Sequence, residues 1–205
     1  MRRRFRQHVN PLKMSSLVPR DQPLDLPDQP VLEVELGCGD GQFLVSRSQI
    51  HPERFFLGFD IRKKLLQLAM EDIQRQGLKN VQLYPSNLMV DLDQLFPPNR
   101  VHRFYINFPD PWFKQSHHNR RWLTAEALTG LVNALGQAGE IFFQSDVWSL
   151  AIEALALFEG NQRLRNTCGE WTFLRCNPFA AHSSRERTCL ADGRAIWRLL
   201  FSHRP

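Results

Sequence analysis

The stretch from Asn107 to Trp122, Asn-Phe-Pro-Asp-Pro-Trp-Phe-Lys-Gln-Ser-His-His-Asn-Arg-Arg-Trp, sets one acid between two prolines and follows it with basic and aromatic groups. Each proline fixes its own φ near about −65° and disfavours the helical region for the residue before it, so Phe108 and Asp110 are expected to be held extended. Asp110 would then be presented stiffly. Lys114, His117, His118, Arg120 and Arg121, interleaved with Trp112 and Trp122, form a mixture that suits phosphates and a stackable base. The same residues also read as a rigid turn and a solvated helix face. Position favours chemistry, because the loop follows the apolar run Val101 to Phe108 and ligands of open α/β sheets gather at the carboxyl ends of strands.

Such a loop needs a sheet, and the chain before it supplies one. Val31 to Leu36 reads as a strand, Gly37-Cys38-Gly39-Asp40-Gly41 as a turn, and Gln42 to Gln49 as a helix. Glycines let backbone approach a ligand without Cβ clashes, and the helix start offers unpaired N–H groups. Phe55 to Asp60 is a second buried strand, ending in an acid nineteen residues beyond Gly41. That spacing places Asp60 near the ribose of an adenosine ligand, although an acid there also reads as the cap of the next helix. Leu65, Leu66, Ala69 and Ile73 repeat at helical spacing, Val81 to Tyr84 is a third strand, and Asn87 just beyond it could read an adenine edge.

Val101 to Ile106 is the fourth strand, Leu123 to Leu135 an amphipathic helix, and Glu140 to Gln144 a fifth strand closing on Ser145-Asp146. Val147 to Phe158 reads as helix, Arg163 to Arg175 as a strand or two, and Ala195 to Ser202 as a last strand. Strands alternating with helices, with a glycine turn after the first strand and acids after the second and fifth, predict a three-layer doubly wound Rossmann-like α/β domain. Its sheet would be mostly parallel with an antiparallel last strand.

Composition bounds the partners. Lys plus Arg number 26 against 21 Asp plus Glu, a net charge of +5 that favours contact with nucleic acid or an anionic surface. Residues 1–30 read as a basic, proline-rich arm carrying Arg2, Arg3, Arg4, Arg6 and Lys13, and residues 31–205 as a single domain. Cys38, Cys168, Cys176 and Cys189 show neither a CxxC pair nor zinc-ligand spacing, so free thiols and no metal are expected. No run approaches the roughly 20 apolar residues of a membrane span, and a soluble cytoplasmic protein is expected. The sequence leaves a monomer and a homodimer both open.

The glycine turn departs from the dinucleotide fingerprint, since Gln42 follows Gly41 and Glu35 stands two residues ahead of Gly37. It resembles the S-adenosylmethionine loop of class I methyltransferases. With Phe-Pro-Asp-Pro-Trp-x-Lys, His-His-x-Arg-Arg and the Ser-Asp after the fifth strand, residues 31 to 202 resemble the bacterial tRNA (guanine-N7)-methyltransferase family. The resemblance implies methylation of a guanine in the tRNA variable loop. It implies that Glu35, Gly37, Gly39, Gly41, Asp60 and Asn87 hold the cofactor and that Asp110 acts at the guanine. Lys114, Asp146 and the segment Ser183-Ser184-Arg185-Glu186 would contact substrate, with Arg120 and Arg121 on nearby phosphates. The family usually has an acid where Asn87 stands, commonly Glu at Asp60 and Thr at Ser183. Ser183 and Glu186 also have capping-box spacing, but Cys189, Ala191, Asp192 and Gly193 offer no sustained helical apolar pattern to cap. A class I methyltransferase of small molecules or proteins, and a non-catalytic tRNA-binding protein, remain the alternatives.

Overall fold

A computed structural model describes residues 9–13, 24, 26, 28, 30–112 and 120–204, the side chains of 93 and 94 excepted. Lys114, His117, His118 and the arginines at 2, 3, 4 and 6 lie outside the described residues. In chain order the described elements are β1 (Leu32–Leu36), α1 (Gln42–Ile50), β2 (Phe55–Asp60), α2 (Lys63–Arg75), β3 (Val81–Pro85), α3 (Leu88–Leu95) and β4 (Val101–Asn107). They continue as α4 (Ala125–Ala134), β5 (Leu135–Ser145), α5 (Trp148–Glu159), β6 (Leu164–Asn166), α6 (Ser184–Ala191) and β7 (Trp197–His203).

The strands form one sheet in the order β3-β2-β1-β4-β5-β7-β6. The first five run parallel, and β7 is inserted antiparallel between β5 and β6. Helices α1 and α2 cover one face through Phe43, Leu44, Leu66, Ala69 and Ile73. Helices α3, α4 and α5 cover the other through Leu92, Leu131, Val132, Ala151, Leu155 and Phe158. This is the doubly wound α/β arrangement the alternation of elements predicts, with the antiparallel last strand.

With helices on both faces, inner strands must be buried throughout, and β1 is, although it reads Leu-Glu-Val-Glu-Leu. Its first acid, Glu33, is enclosed by Arg47 at 3.1 Å, Arg54 at 2.6 Å, Arg103 at 3.0 Å and the Tyr105 hydroxyl at 2.6 Å. Burial pushes the Glu33 carboxyl up, but Arg103, the Tyr105 hydroxyl, Arg47 and Arg54 together outweigh it and hold the group below the usual range. The Arg47 and Arg103 guanidinium carbons lie 5.2 Å and 4.8 Å from the Phe179 ring centroid, so excess positive charge in this cluster meets an aromatic face.

Strand β5 begins at Leu135, five residues earlier than its apolar pattern suggests. Leu135 pairs with Val101, an irregularity containing Ala138 at φ 58° follows, and regular pairing resumes at Glu140. Gly58, in the middle of β2, supports the glycine turn from beneath. A Cβ there would stand 2.5 Å from Leu83 Cδ2 and 2.8 Å from both Cys38 Sγ and Leu44 Cδ1. Gly58→Ala is therefore expected to cost about 1–3 kcal/mol by overpacking, measured by urea unfolding. An unchanged unfolding midpoint would show that the turn does not rest on β2 this closely.

Candidate active site

Strands β1 and β4 are neighbours whose following connections lead to opposite sides of the sheet, and at such a switch point the loops part and leave a crevice. A cavity of about 170 Å³ opens there, lined among others by Gly37, Asp60, Arg62, Asn87, Asp110 and Arg120. Val9 and Pro11, from the arm, line it too. Two glycines shape the turn at its floor. Gly39, at φ 59°, donates its backbone N–H to Asp60 Oδ2 at 2.9 Å, and a Cβ on it would meet the Arg62 guanidinium at 3.3 Å. Gly41, at φ 69°, starts α1 with no side-chain cap, and a Cβ there would stand 3.0 Å from Leu83.

Glu35, the second acid of β1, is buried like Glu33 but has no cation among the described residues. Asn107 Nδ2 donates to its Oε1 at 2.7 Å, while Oε2 is buried with no hydrogen-bond partner. Burial pushes the carboxyl well up, the Asn107 hydrogen bond opposes that, and the charges of Asp40 and Asp60 add to the rise. Asp60 is already occupied: besides Gly39 it accepts from the Arg62 backbone N–H at 2.8 Å, from Nε at 2.8 Å and from the second guanidinium nitrogen at 2.7 Å. A ribose hydroxyl would share that carboxylate with Arg62. Asn87 caps α3 by accepting from the Met89 N–H at 3.2 Å, and its Nδ2 donates to the Pro11 carbonyl at 2.9 Å. An aspartate at that position could make the first bond and not the second.

The proline loop corrects one expectation. Phe108 is not extended but left-handed at φ 51°, with Trp112 at φ 43°. The Phe108 N–H donates to the Gln144 carbonyl at 2.8 Å, prolonging β4 by one rung before the chain turns, and the cost of a bulky residue in this region is stored beside the site. Asp110 lines the cavity, and its charge reaches the Arg62 guanidinium. Arg121 faces inward: its Nε donates to the Pro111 carbonyl at 3.0 Å and it pairs with Glu153, so it braces the loop. The Arg120 guanidinium carbon stands 5.1 Å from the centroid of the Trp112 ring.

Across the site, Asp146 is paired with Arg185 at 2.7 Å and Arg194 at 3.3 Å. The segment Ser183-Ser184-Arg185-Glu186 opens a helix where the apolar pattern offered none. Ser183 is the N-cap of α6, its Oγ accepting from the Glu186 N–H at 3.1 Å, so the capping reading of this spacing holds. The helix is short and its inward residues are the acid Glu186 and Cys189, which is why no apolar period announces it. Ser184 Oγ donates to Asp40 Oδ2 at 2.6 Å, tying α6 to the glycine turn. Glu186 is fully buried: Oε1 accepts from Arg198 at 2.9 Å and Oε2 from Gln144 at 3.0 Å, with Asn177 donating to both oxygens. It stands behind the site, and a direct bond to a substrate base is not what its position offers.

Sequence reading missed Arg62, Asn107, Gln144 and Arg198. The signal for three of them is a polar residue beside buried apolar strand residues, as in Ile141-Phe142-Phe143-Gln144. Arg62 carried no signal, because it follows a strand end where any polar residue fits.

Residues 29–199 match a family model described as "Putative methyltransferase". A protein of Thermosynechococcus vestitus named tRNA (guanine-N(7)-)-methyltransferase is 36% identical over 205 residues, covering 97% of this chain and 94% of its own. Its namesake in a Synechocystis species is 36% identical over 212 residues, covering 98% of each. Among solved structures, a SAM dependent methyltransferase from Aquifex aeolicus shares the fold at a TM-score of 0.57 and 13% identity, over 85% of this chain and 83% of that one.

The Glu35 carboxyl, buried without a counter-ion among the described residues, sets a pH signature. A carboxyl whose folded value is raised holds its proton more tightly in the folded state, so stability falls as pH rises from the ordinary carboxylate range through the raised one. Glu35→Gln removes that loss. It is expected to unfold later in urea than the parent at about pH 8, by roughly 1–3 kcal/mol, with the gap closing towards about pH 4. A gap independent of pH would show that Glu35 does not bury a charge.

Proposed function

The chain belongs to the family of tRNA (guanine-N(7)-)-methyltransferases, and on that premise we propose that it methylates N7 of a guanine in the tRNA variable loop, position 46, from S-adenosylmethionine, in the cytoplasm. The observation that carries the cofactor reading is the buried Oε2 of Glu35, which has an acceptor's lone pairs and no donor among the described residues, beside a glycine turn whose Gly37 lines the cavity. A buried carboxylate in that condition fits a ligand bearing an ammonium group. Glu35 would hold the amino-acid end, Gly37, Gly39 and Gly41 would admit the ligand backbone, and Asp60 would take the ribose hydroxyls. Asn87 would stand at the adenine, with Pro11 of the arm beside it.

When bound, S-adenosylmethionine supplies a methyl group on a sulfonium, an electrophile that a neutral nitrogen lone pair can attack. Guanine N7 carries such a lone pair and no proton, so the chain needs no general base, and alignment and electrostatics must provide the rate. Positive charge grows on the purine as the methyl group arrives. Asp110, at the cavity wall, would accept from the Watson–Crick edge and balance that charge. Arg120, over Trp112, would take a phosphate or a stacked base. Lys114, Asp146 and the segment 183–186 complete the substrate contacts that the family resemblance implies, with Glu186 acting from behind.

Incubating the protein with unmodified tRNA and S-adenosylmethionine, then mapping the modified base, tests this reading. Methylation at N7 of the variable-loop guanine, lost when that guanine is replaced, is expected; a methyl group elsewhere, or none, overturns it. Asp110→Asn should lower turnover by about 10²- to 10³-fold, the scale of losing one electrostatic stabiliser, and leave binding of S-adenosylhomocysteine intact by calorimetry. Near-normal methylation by this variant would take Asp110 out of the reaction.

A further inference from the structure

One row behind the carboxyl edge of the sheet, on the face covered by α1, four neighbouring strands each place a buried polar side chain: Glu35 on β1, Asn107 on β4, Gln144 on β5 and Arg198 on β7. They form one hydrogen-bonded chain. Asn107 Nδ2 donates to Glu35 Oε1 at 2.7 Å, and Gln144 Nε2 donates to Asn107 Oδ1 at 2.9 Å and to Glu186 Oε2 at 3.0 Å. Arg198 closes the far end, donating through Nε to Gln144 Oε1 at 3.1 Å and through a terminal nitrogen to Glu186 Oε1 at 2.9 Å.

The sense of each bond is forced from the α6 end. The ionised Glu186 carboxylate only accepts, so Gln144 must turn its NH₂ towards it and its single oxygen to the arginine. The second hydrogen of that NH₂ then meets the Asn107 oxygen, which commits the Asn107 NH₂ to Glu35 Oε1. What is left over is Glu35 Oε2, the buried carboxylate oxygen without a donor among the described residues. Reversing either amide, alone or together, would set donor against donor or acceptor against acceptor in a dry interior, so both are held in one sense. A directed chain of this kind polarises along its length, so a change in the bonding of the carboxylate at one end alters the bonds at the other, which is a physical basis for communication between those ends.

We propose that Asn107 and Gln144 are positioning residues that join the cofactor carboxylate Glu35 to helix α6, so that ligand binding at the glycine turn and the seating of residues 177–191 are linked. The inference rests on the cofactor reading given above. It assigns Glu186 to orienting the chain rather than to touching the base, and leaves Ser183, Ser184 and Arg185 to face substrate. Ser184, bonded to Asp40, is a second and more superficial tie between α6 and the turn.

The test uses the full-length protein with S-adenosylhomocysteine as probe, measuring its affinity by calorimetry and hydrogen exchange across residues 177–191. In the parent chain the probe should bind and slow exchange in that segment. Gln144→Met, which keeps the volume and breaks the chain, should weaken binding roughly tenfold, the scale of one misdirected charged hydrogen bond, and abolish the exchange response. Glu186→Gln is the second variant should Gln144→Met fail to fold: it keeps an oxygen for Arg198, removes the acceptor-only end, and should show the same two losses. A merely structural role would lower the melting temperature while leaving affinity per folded molecule and the exchange response as in the parent, and that result overturns the proposal. Binding by the parent with no response in 177–191 overturns it as well, and leaves the cofactor reading standing. Failure of the parent to bind the probe overturns both.

Discussion

The fold is arranged around two carboxylates on the central strand, two residues apart on the same face and treated in opposite ways. Glu33 is surrounded by three guanidinium groups and a phenol, which makes its burial tolerable and pins α1, β2 and β4 to β1. Glu35, one pleat nearer the carboxyl edge, receives a neutral amide and nothing more. Burying an ion without a counter-ion is costly, and a native chain retains such a group where a ligand supplies what is missing. Tyr105, Phe142 and Phe179, in edge-on contact, surround the Glu33 cluster with rings, the Tyr105 hydroxyl and the Arg47 and Arg103 guanidinium groups meeting it from among them. The arginines on Glu33 do not relieve Glu35.

The layers and the order of elements were legible in the sequence because parallel strands with helical crossovers leave strong signals: apolar runs, glycine turns and periodic helices. The acids at strand ends were legible for the same reason, since a strand end at a switch point is where a ligand is met. Other features followed from tertiary contact and left weaker traces. Phe108 adopts a left-handed backbone because its N–H answers the Gln144 carbonyl on the next strand, a demand that local proline rules cannot anticipate. Helix α6 was hidden because its buried side is built from an acid and a thiol, and the acid is acceptable only opposite an arginine fourteen residues from Ser184.

Asn87 shows how a single amide changes a site. Carboxylate and amide cap α3 equally well, but only the amide donates to the carbonyl of Pro11, seventy-six residues earlier. The arm is thereby brought to the wall of the cavity, where Val9 and Pro11 take their place beside residues of the sheet. The amide at this position thus brings a covalently distant piece of chain to the cavity wall.

The outer strands of the sheet carry a different consequence. On one side lies β3, five residues long and ending in Pro85, which has no N–H to offer; on the other lies β6, only three residues long. Neither presents a long ladder of unpaired amides, so the sheet is a poor template for edge-to-edge growth, whether in an ordered dimer or in an aggregate. Among the described strands, the sheet's two borders thus carry the features that disfavour its extension by a second copy.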